Sequence, residues 1–345
     1  MYKNELKKIT EDAKKNLYNK TPNKLIERNI EYNKNLPTVS FLIPFYKSYE
    51  FLITNINSIL KQSYPNIEII IVNDSPEVEH LHNNIENLIK DYKYIHLYKN
   101  EVNLGGAKTM LRCMELCNSK YAVKIDQDDF YISDTFLEKA VVKLESNPNL
   151  SFVSFNTITY LEKEHKFHFN KLNYSGFMER EDFLINLLKI YKKPTSTFPT
   201  VFVTKYLKPT TLGMIGDSNI YLNLLVYGDA YIFDEIVGVY RFNSNSMSKN
   251  LPFEYIYNSI LEKYRIYKRA NKEYNKDFYN FYKFQVFNTL KFYVSVNGQL
   301  KDVKLIADWL SKNGEISKTF IYFKFVQFKI YKYIVKIYQN YRKII

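Results

Sequence analysis

Two cysteines, one tryptophan, five histidines and nine glycines in 345 residues leave several functional classes without their usual equipment. Cys113 and Cys117 are too few for a disulfide framework and stand four apart on a predicted helix face, as small core side chains do. So low a count fits a reducing, cytoplasmic compartment. His80, His82, His96, His165 and His168 have no partners at zinc-site spacing. The sparse glycines remove two phosphate-binding signatures. No G-x-G-x-x-G follows a strand, which argues against a dinucleotide dehydrogenase. Gly105-Gly106-Ala107-Lys108-Thr109 lacks the first glycine and the Gly-Lys pair of a phosphate loop. Apolar runs are broken by lysine well short of the roughly 20 residues a bilayer-spanning helix needs. The polar N-terminus, from Lys3 onward, has no signal-peptide pattern.

Acidic residues are absent after Glu315, so the formal charge of +13 is unevenly spread. Residues 1–36 carry a net +4, residues 37–252 a net −2 and residues 253–345 a net +11. A near-neutral centre with basic flanks argues against nucleic acid as its partner. Three segments follow. Residues 1–36 read as one or two charged helices, with Pro37 as the boundary, and 37–252 as the main domain, divided into halves at 37–130 and 131–252. Residues 253–345, nearly free of glycine and proline, read as a helical appendage. Toward its end Lys318, Lys329, Lys332, Lys336 and Lys343 fall along one helix face at about 100° per residue. Phe320, Phe323, Phe328, Ile334, Val335, Ile337 and Tyr338 populate much of the remainder. A basic, aromatic helix lying on an anionic membrane surface has this pattern, which makes 318–345 a candidate peripheral membrane segment. A helix packed on its own domain with lysines in water has it too.

The main domain alternates strand and helix patterns. Apolar runs at 37–43, 67–72, 94–98, 119–125 and 150–155 are separated by helical stretches at 51–60, 77–91, 105–117 and 133–146. This implies a doubly wound, mostly parallel sheet, which binds ligands at the carboxyl ends of its strands. Two of those ends are acidic: Asn73-Asp74-Ser75-Pro76, and Asp126-Gln127-Asp128-Asp129. Three clustered carboxylates repel one another, and a divalent cation shared with a substrate's phosphates removes the conflict.

The strings Val39-Ser40-Phe41-Leu42-Ile43-Pro44-Phe45-Tyr46, Ile71-Val72-Asn73-Asp74-Ser75 and Lys124-Ile125-Asp126-Gln127-Asp128-Asp129 resemble the family 2 inverting glycosyltransferases of GT-A fold. Gly216-Asp217-Ser218-Asn219-Ile220-Tyr221-Leu222 resembles that family's acidic motif at the start of an acceptor-side helix. Gly238-Val239-Tyr240-Arg241 with Ser246-Met247-Ser248 resembles its closing strand and loop. The resemblance covers residues 37–250 and implies a GT-A, Rossmann-like sheet. It also implies roles. Asp74 would hold the nucleotide's base, and Pro44, Phe45 and Tyr46 would lie against the nucleoside. Asp126 and Asp128, with Asp129 adjacent, would carry Mn²⁺ or Mg²⁺ on the diphosphate, with Gln127 among the donor-binding residues. Asp217 would be the base that takes the acceptor's proton. The implied donor is a nucleotide-sugar, with UDP favoured. The implied acceptor is a glycan or lipid-linked glycan of a bacterial capsule or lipooligosaccharide.

The sequence also departs from the family. Lys108-Thr109-Met110-Leu111-Arg112 stands where many members have Ala-Arg-Asn, so Lys108 becomes the candidate cation near the phosphates. Asn243 stands where members often have a metal- or diphosphate-binding histidine, and an amide oxygen ligates without charge. Plainer roles exist for each acid. Asp217 and Asp74 could cap helices, Asp129 could orient its loop, and Tyr46 could simply pack. Substrate choice is expected in 156–215, which reads as an edge strand or hairpin at 157–169, a helix at 176–188, a polar loop at 194–197 and a strand at 198–204. His165, Thr195, Ser196 and Arg241 could touch sugar hydroxyls, or any of them could be ordinary surface. Two rival functions use similar parts: a non-catalytic nucleotide-sugar-binding subunit, and a nucleotidyltransferase. The second usually has a glycine-rich loop that Ile43-Pro44-Phe45-Tyr46-Lys47-Ser48 lacks.

Overall fold

Continuous apolar strands form where both faces of a sheet are covered, and the first half of the molecule is built on that rule. A computed structural model describes residues 2–18, 24–207, 216–243, 252–296 and 299–341. Strands β1 (Val39–Phe45), β2 (Ile67–Asn73), β3 (Ile95–Lys99) and β4 (Tyr121–Lys124) lie in the order β3-β2-β1-β4, all parallel. The first five helices in chain order are α1 (Tyr2–Tyr18), α2 (Tyr49–Leu60), α3 (Glu79–Ile89), α4 (Gly105–Leu116) and α5 (Phe136–Ser146). Strand alternation divides the side chains between two layers. Phe41, Ile43, Phe45, Ile69 and Ile71 share a core with the apolar stripes of α2, α3 and α5. Leu42, Ile70 and Val72 alternate with them, and α4 packs on β1 and β2 with Met110, Cys113 and Met114 buried. Each fully buried Ile, Val or Phe contributes about 1.5–3 kcal/mol of hydrophobic stabilisation.

The remaining strands are β5 (Phe130–Tyr131), β6 (Leu150–Leu161), β7 (Lys166–Asn170), β8 (Gly176–Met178), β9 (Thr200–Val203) and β10 (Asp229–Phe242). The sheet continues as β4-β9-β6-β10-β5, with β7 on β6 and β8 on β10. β9 runs antiparallel to both β4 and β6, so β6 and its parallel neighbour β10 point the same way as β1 to β4. The sheet is thus mostly parallel in direction, with the short strands β5, β7, β8 and β9 reversed. The expected hairpin is present as β6 and β7. The stretch expected to be helical at 176–188 begins instead as β8 and becomes helix only over α6 (Arg180–Asn186). β10 carries register shifts between Ile232 and Gly238. At Gly238 it passes so close to its neighbours that a Cβ would lie 2.4 Å from the Phe198 ring and 2.8 Å from the Phe130 carbonyl oxygen, which only glycine allows.

Residues 1–36 hold a single described helix. In α1, Ala13 is buried, and Ile9 and Leu17 pack with Phe130, Ile158, Tyr160 and Val239. Residues 25–33 are an irregular strap rather than a second helix. Its backbone bonds go to asparagine side chains, Ile26 N to Asn57 Oδ1 at 2.9 Å and Asn33 N to Asn66 Oδ1 at 2.8 Å. Arg28 donates to the carbonyls of Leu60, Gln62 and Tyr64. Asparagine offers the backbone such local partners in place of a helix ladder.

The chain divides into two compact units, Met1–Thr210 with Ile220–Ser244, and Thr211–Asn219 with Asn245–Ile345. Helix α7 (Asp217–Tyr227) begins in the second unit. The other described elements of that unit are helices: α8 (Phe253–Tyr274), α9 (Tyr279–Val296), α10 (Leu300–Asn313) and α11 (Lys318–Tyr341). Tyr264, Tyr267, Tyr282 and Trp309 form its aromatic interior, with the Tyr267 and Tyr282 rings stacked at 4.9 Å. Ser246-Met247-Ser248 and Lys343 lie outside the described residues.

Candidate active site

The strand order reverses between β1 and β4, and there the two strands part. Their pairing ends at Leu42 and Lys124, with Ile125 N donating to Leu42 O at 3.1 Å. β1 continues to Phe45 against β2 alone, and Pro44 has no N–H with which to extend the ladder. This is the switch-point crevice of an open parallel sheet, and the acidic loop turns back over it.

Asp129, Gln127, Asn55 and Arg241 hold that loop with seven hydrogen bonds. Asp129 N closes a turn onto Asp126 O at 3.1 Å. Gln127 spans the gap to β1, its Oε1 accepting from Tyr46 N at 2.6 Å and its Nε2 donating to Tyr46 O at 2.8 Å. From α2, the buried Asn55 donates to the Asp126 and Asp129 carbonyls at 3.1 and 2.8 Å. From β10, Arg241 donates its backbone N–H to Asp129 Oδ1 at 3.0 Å and its Nε to Asp128 O at 3.3 Å. The Arg241 guanidinium lies 4.3 Å over the Phe51 ring and 3.4 Å from Glu162.

The three carboxylates differ in environment. Asp126 is 44% exposed, with Lys124 Nζ 3.6 Å away. Asp128 is half-buried, and its Oδ2 accepts from Asn243 Nδ2 at 3.0 Å. Burial, and then the neighbouring Asp126, push its carboxyl up to about 6. Asp129 is fully buried with Oδ2 lacking any partner, and burial together with Asp128 and Asp126 holds it well above the usual carboxylate range. Among the described residues no group of three or more His, Cys, Asp or Glu side chains is arranged to hold an ion alone. Asp126 and Asp128 are the two carboxylates of the loop that are not sealed from solvent, oxygen donors of the hard kind that suit a divalent cation such as Mg²⁺ or Mn²⁺. Asp129, expected beside them as a ligand, is instead the buried anchor of the loop.

Other expected residues also take distinct places. Phe45 is fully buried in the core, while Tyr46 is 44% exposed with Lys47 Nζ 4.7 Å over its ring. Asp74 is buried and its carboxylate is engaged: Oδ1 accepts from Asn100 Nδ2 and Leu104 N, both at 2.7 Å, and Oδ2 from Gly105 N at 2.8 Å. It thus anchors the N-terminus of α4, where an anion meets unpaired N–H groups and the positive end of the helix dipole. Lys108 is exposed on the first turn of α4. His165 Nδ1 pairs with Tyr160 OH at 2.9 Å, and Ser196 is buried, its carbonyl accepting from Tyr221 OH.

Asp217 stands in the second unit as the first residue of α7, half-buried. Its turn is pinned from α8. Asn219 is fully buried, donating to Ser259 O at 3.3 Å and accepting from Lys263 Nζ at 2.6 Å. Burial pushes the Lys263 amine down to about 7 despite the adjacent Glu262. A Cβ on Gly216 would meet Tyr255 OH at 2.8 Å.

Sequence reasoning missed Asn55, the buried Lys124 and the bracing role of Arg241. Two of these left a trace: Asn55 interrupts the apolar side of α2, and Lys124 interrupts an apolar strand.

Residues 40–203 match the family model described as glycosyl transferase family 2. An uncharacterized glycosyltransferase of Haemophilus influenzae is 30% identical over 132 residues, 38% of this chain and 40% of that protein. The putative teichuronic acid biosynthesis glycosyltransferase TuaG of Bacillus subtilis is 26% identical over 120 residues, 35% of this chain and 47% of that protein. The chain therefore spans less than half the length of these curated relatives. The crystal structure of S. aureus TarS 1–349 in complex with UDP-GlcNAc superposes with a TM-score of 0.56 at 12% identity, covering 88% of this chain and 92% of that one, a likeness of fold. With their strand-end motifs in family order on a sheet of this topology, residues 40–203 are those of a family 2 glycosyltransferase domain of GT-A fold.

Proposed function

We propose that the protein transfers one sugar, with inversion, from a UDP-sugar to a glycan or lipid-linked glycan, as a peripheral enzyme on the cytoplasmic face of the membrane in capsule or lipooligosaccharide synthesis. The observation that carries this reading is the crowding of Asp126 and Asp128 over the β1/β4 crevice, zipped to Tyr46 by Gln127. A site that strains carboxylates at a strand end is built for a positively charged or phosphate-bridging guest. TarS has been crystallised with UDP and with UDP-GlcNAc, which supports UDP as the carrier.

Asp126 and Asp128 would hold Mn²⁺ or Mg²⁺, and Asn243 could join them if its amide turned its oxygen toward the ion. When bound, the ion neutralises the negative charge that develops on the departing diphosphate. The nucleoside lies against Pro44 and Tyr46, with Asp74 offering its remaining Oδ2 lone pair at the base. Lys108 adds positive charge on the phosphate side. The acceptor oxygen attacks the anomeric carbon opposite the diphosphate, the carbon–oxygen bond to phosphate breaks, and Asp217 takes the acceptor's proton. Among the described residues no helix is long and apolar enough to cross a membrane, so attachment is peripheral in this reading.

The test is a donor screen. Purified protein with Mn²⁺ or Mg²⁺ and a panel of nucleotide-sugars should release nucleoside diphosphate from one donor, and both metal removal and Asp128→Ala should stop it. Nucleotide binding without release, even with acceptor glycans present, would favour a non-catalytic binding subunit. Absence of nucleotide binding would overturn the reading altogether.

A further inference from the structure

Helix α11 packs on α9 and α10 through Ile321 and Phe325, which are buried. Another side of the helix is apolar and faces solvent. Phe323, Val326, Ile330, Tyr333, Ile334 and Ile337 are each between 52% and 67% exposed. Their spacing of three and four residues gathers them into one stripe roughly 100° wide and about 20 Å long. Scattered exposed apolar residues need no explanation, but a contiguous stripe marks an interaction surface.

Charge identifies the occupant. Lys329 borders the stripe on one side and Lys324 on the other, and residues 318–341 contain no carboxylate. Lys318 already pairs with Asp308 at 2.6 Å, and Lys332 donates to Val294 O at 3.0 Å. The spacing of Phe323, Val326, Ile330, Tyr333 and Ile337 would also suit a two-helix seam with a second copy. Such a seam would be flanked by Lys329 on one side and on the other by Gln327 with Lys324, whose Nζ donates to Gln327 Oε1 at 2.9 Å; with no acid to answer the lysines, two copies would oppose like charge. An anionic lipid surface supplies the missing charge and receives the apolar stripe at the same time.

We infer that this face of α11 is the membrane-docking surface. The stripe sinks into the boundary between headgroups and acyl chains, and Lys324 and Lys329 meet lipid phosphates. The inference builds on the reading of a peripheral membrane enzyme, and its test uses no transfer activity, so the two can fail separately.

The test is co-sedimentation of the full chain with vesicles of phosphatidylcholine alone or mixed with phosphatidylglycerol. Binding should require the anionic lipid and weaken with salt. Ile330→Glu combined with Ile334→Glu should lower the partition by on the order of tenfold or more, and Lys324→Gln with Lys329→Gln by a smaller factor that vanishes at high salt. Unchanged circular dichroism and nucleotide binding serve as controls. Should the glutamate variant misfold, hydrogen exchange of the wild-type chain must show new protection in 318–337 with anionic vesicles. Equal partition of wild type and folded variant, absence of vesicle binding, or a solution dimer that dissolves in the variant would each overturn the inference, the last in favour of a second copy.

Discussion

Two strand ends on the same sheet edge carry aspartates, and the protein treats them in opposite ways. At the end of β2, Asp74 receives three hydrogen bonds from Asn100, Leu104 and Gly105, and every group involved gains a partner. At the end of β4, three carboxylates are packed together, Asp128 is pushed up to about 6, and Asp129 keeps one buried oxygen without a partner. The first end lowers its own energy. The second stores a charge conflict that the protein braces from α2 and β10 but does not resolve. The needs of Asp74 are met within the fold, while the acids after β4 are held together against their repulsion.

The comparison is broken most forcefully at Asp128. Asp128→Ala should lower transfer about 10³-fold if the diphosphate loses its electrostatic support, while thermal stability stays level or rises because a repulsive charge is gone. Initial rates and melting curves on the same preparations check both halves. Asp74→Ala should act chiefly on stability. It removes an acceptor shared by Asn100 Nδ2, Leu104 N and Gly105 N and should cost about 2 kcal/mol in urea unfolding, with a rise in donor KM beyond the loss of folded protein as the base loses its contact.

A pH titration sharpens the contrast. Asp128 releases its proton near pH 6 in the folded chain and near 3.8 when unfolded. Folding therefore favours the protonated form, and this contribution is present below about pH 4 and lost as the pH rises through 6. In metal-free buffer, unfolding free energy should fall across that window by up to about 1.4 kcal/mol per pH unit from this group, less in Asp128→Asn. Mn²⁺ should restore the loss in the wild-type chain only. The smallest effect is expected at the zipper between the two regions. Gln127→Ala removes two hydrogen bonds to the Tyr46 backbone and should raise the donor KM by about fivefold, roughly 1 kcal/mol, with little change in melting temperature.

Much of this contrast was legible in the residues. The run Ile67–Asn73 could only be a strand covered on both sides, and an acidic string after such a strand belongs at a ligand-binding edge. What was not legible is the ranking of the acids. Asp126, Asp128 and Asp129 are neighbours in sequence and equal in chemistry, yet the first two are partly open to solvent and the third is sealed. Arg241 lies 112 residues from Asp129, and no local pattern announces that its backbone N–H will cap that carboxylate. Phe45 belonged to a donor-binding string by resemblance, but strand alternation sends it into the core.

The sequence by itself determined the class of fold, the edge on which chemistry is possible and the residue types gathered there, because hydrophobic periodicity and strand-end chemistry are local properties. Only the tertiary structure decided which aspartate has its hydrogen bonds met and which is strained, and which face of α11 is left exposed. Burial and hydrogen-bond satisfaction depend on segments far apart in the chain, and they exist only once those segments have met.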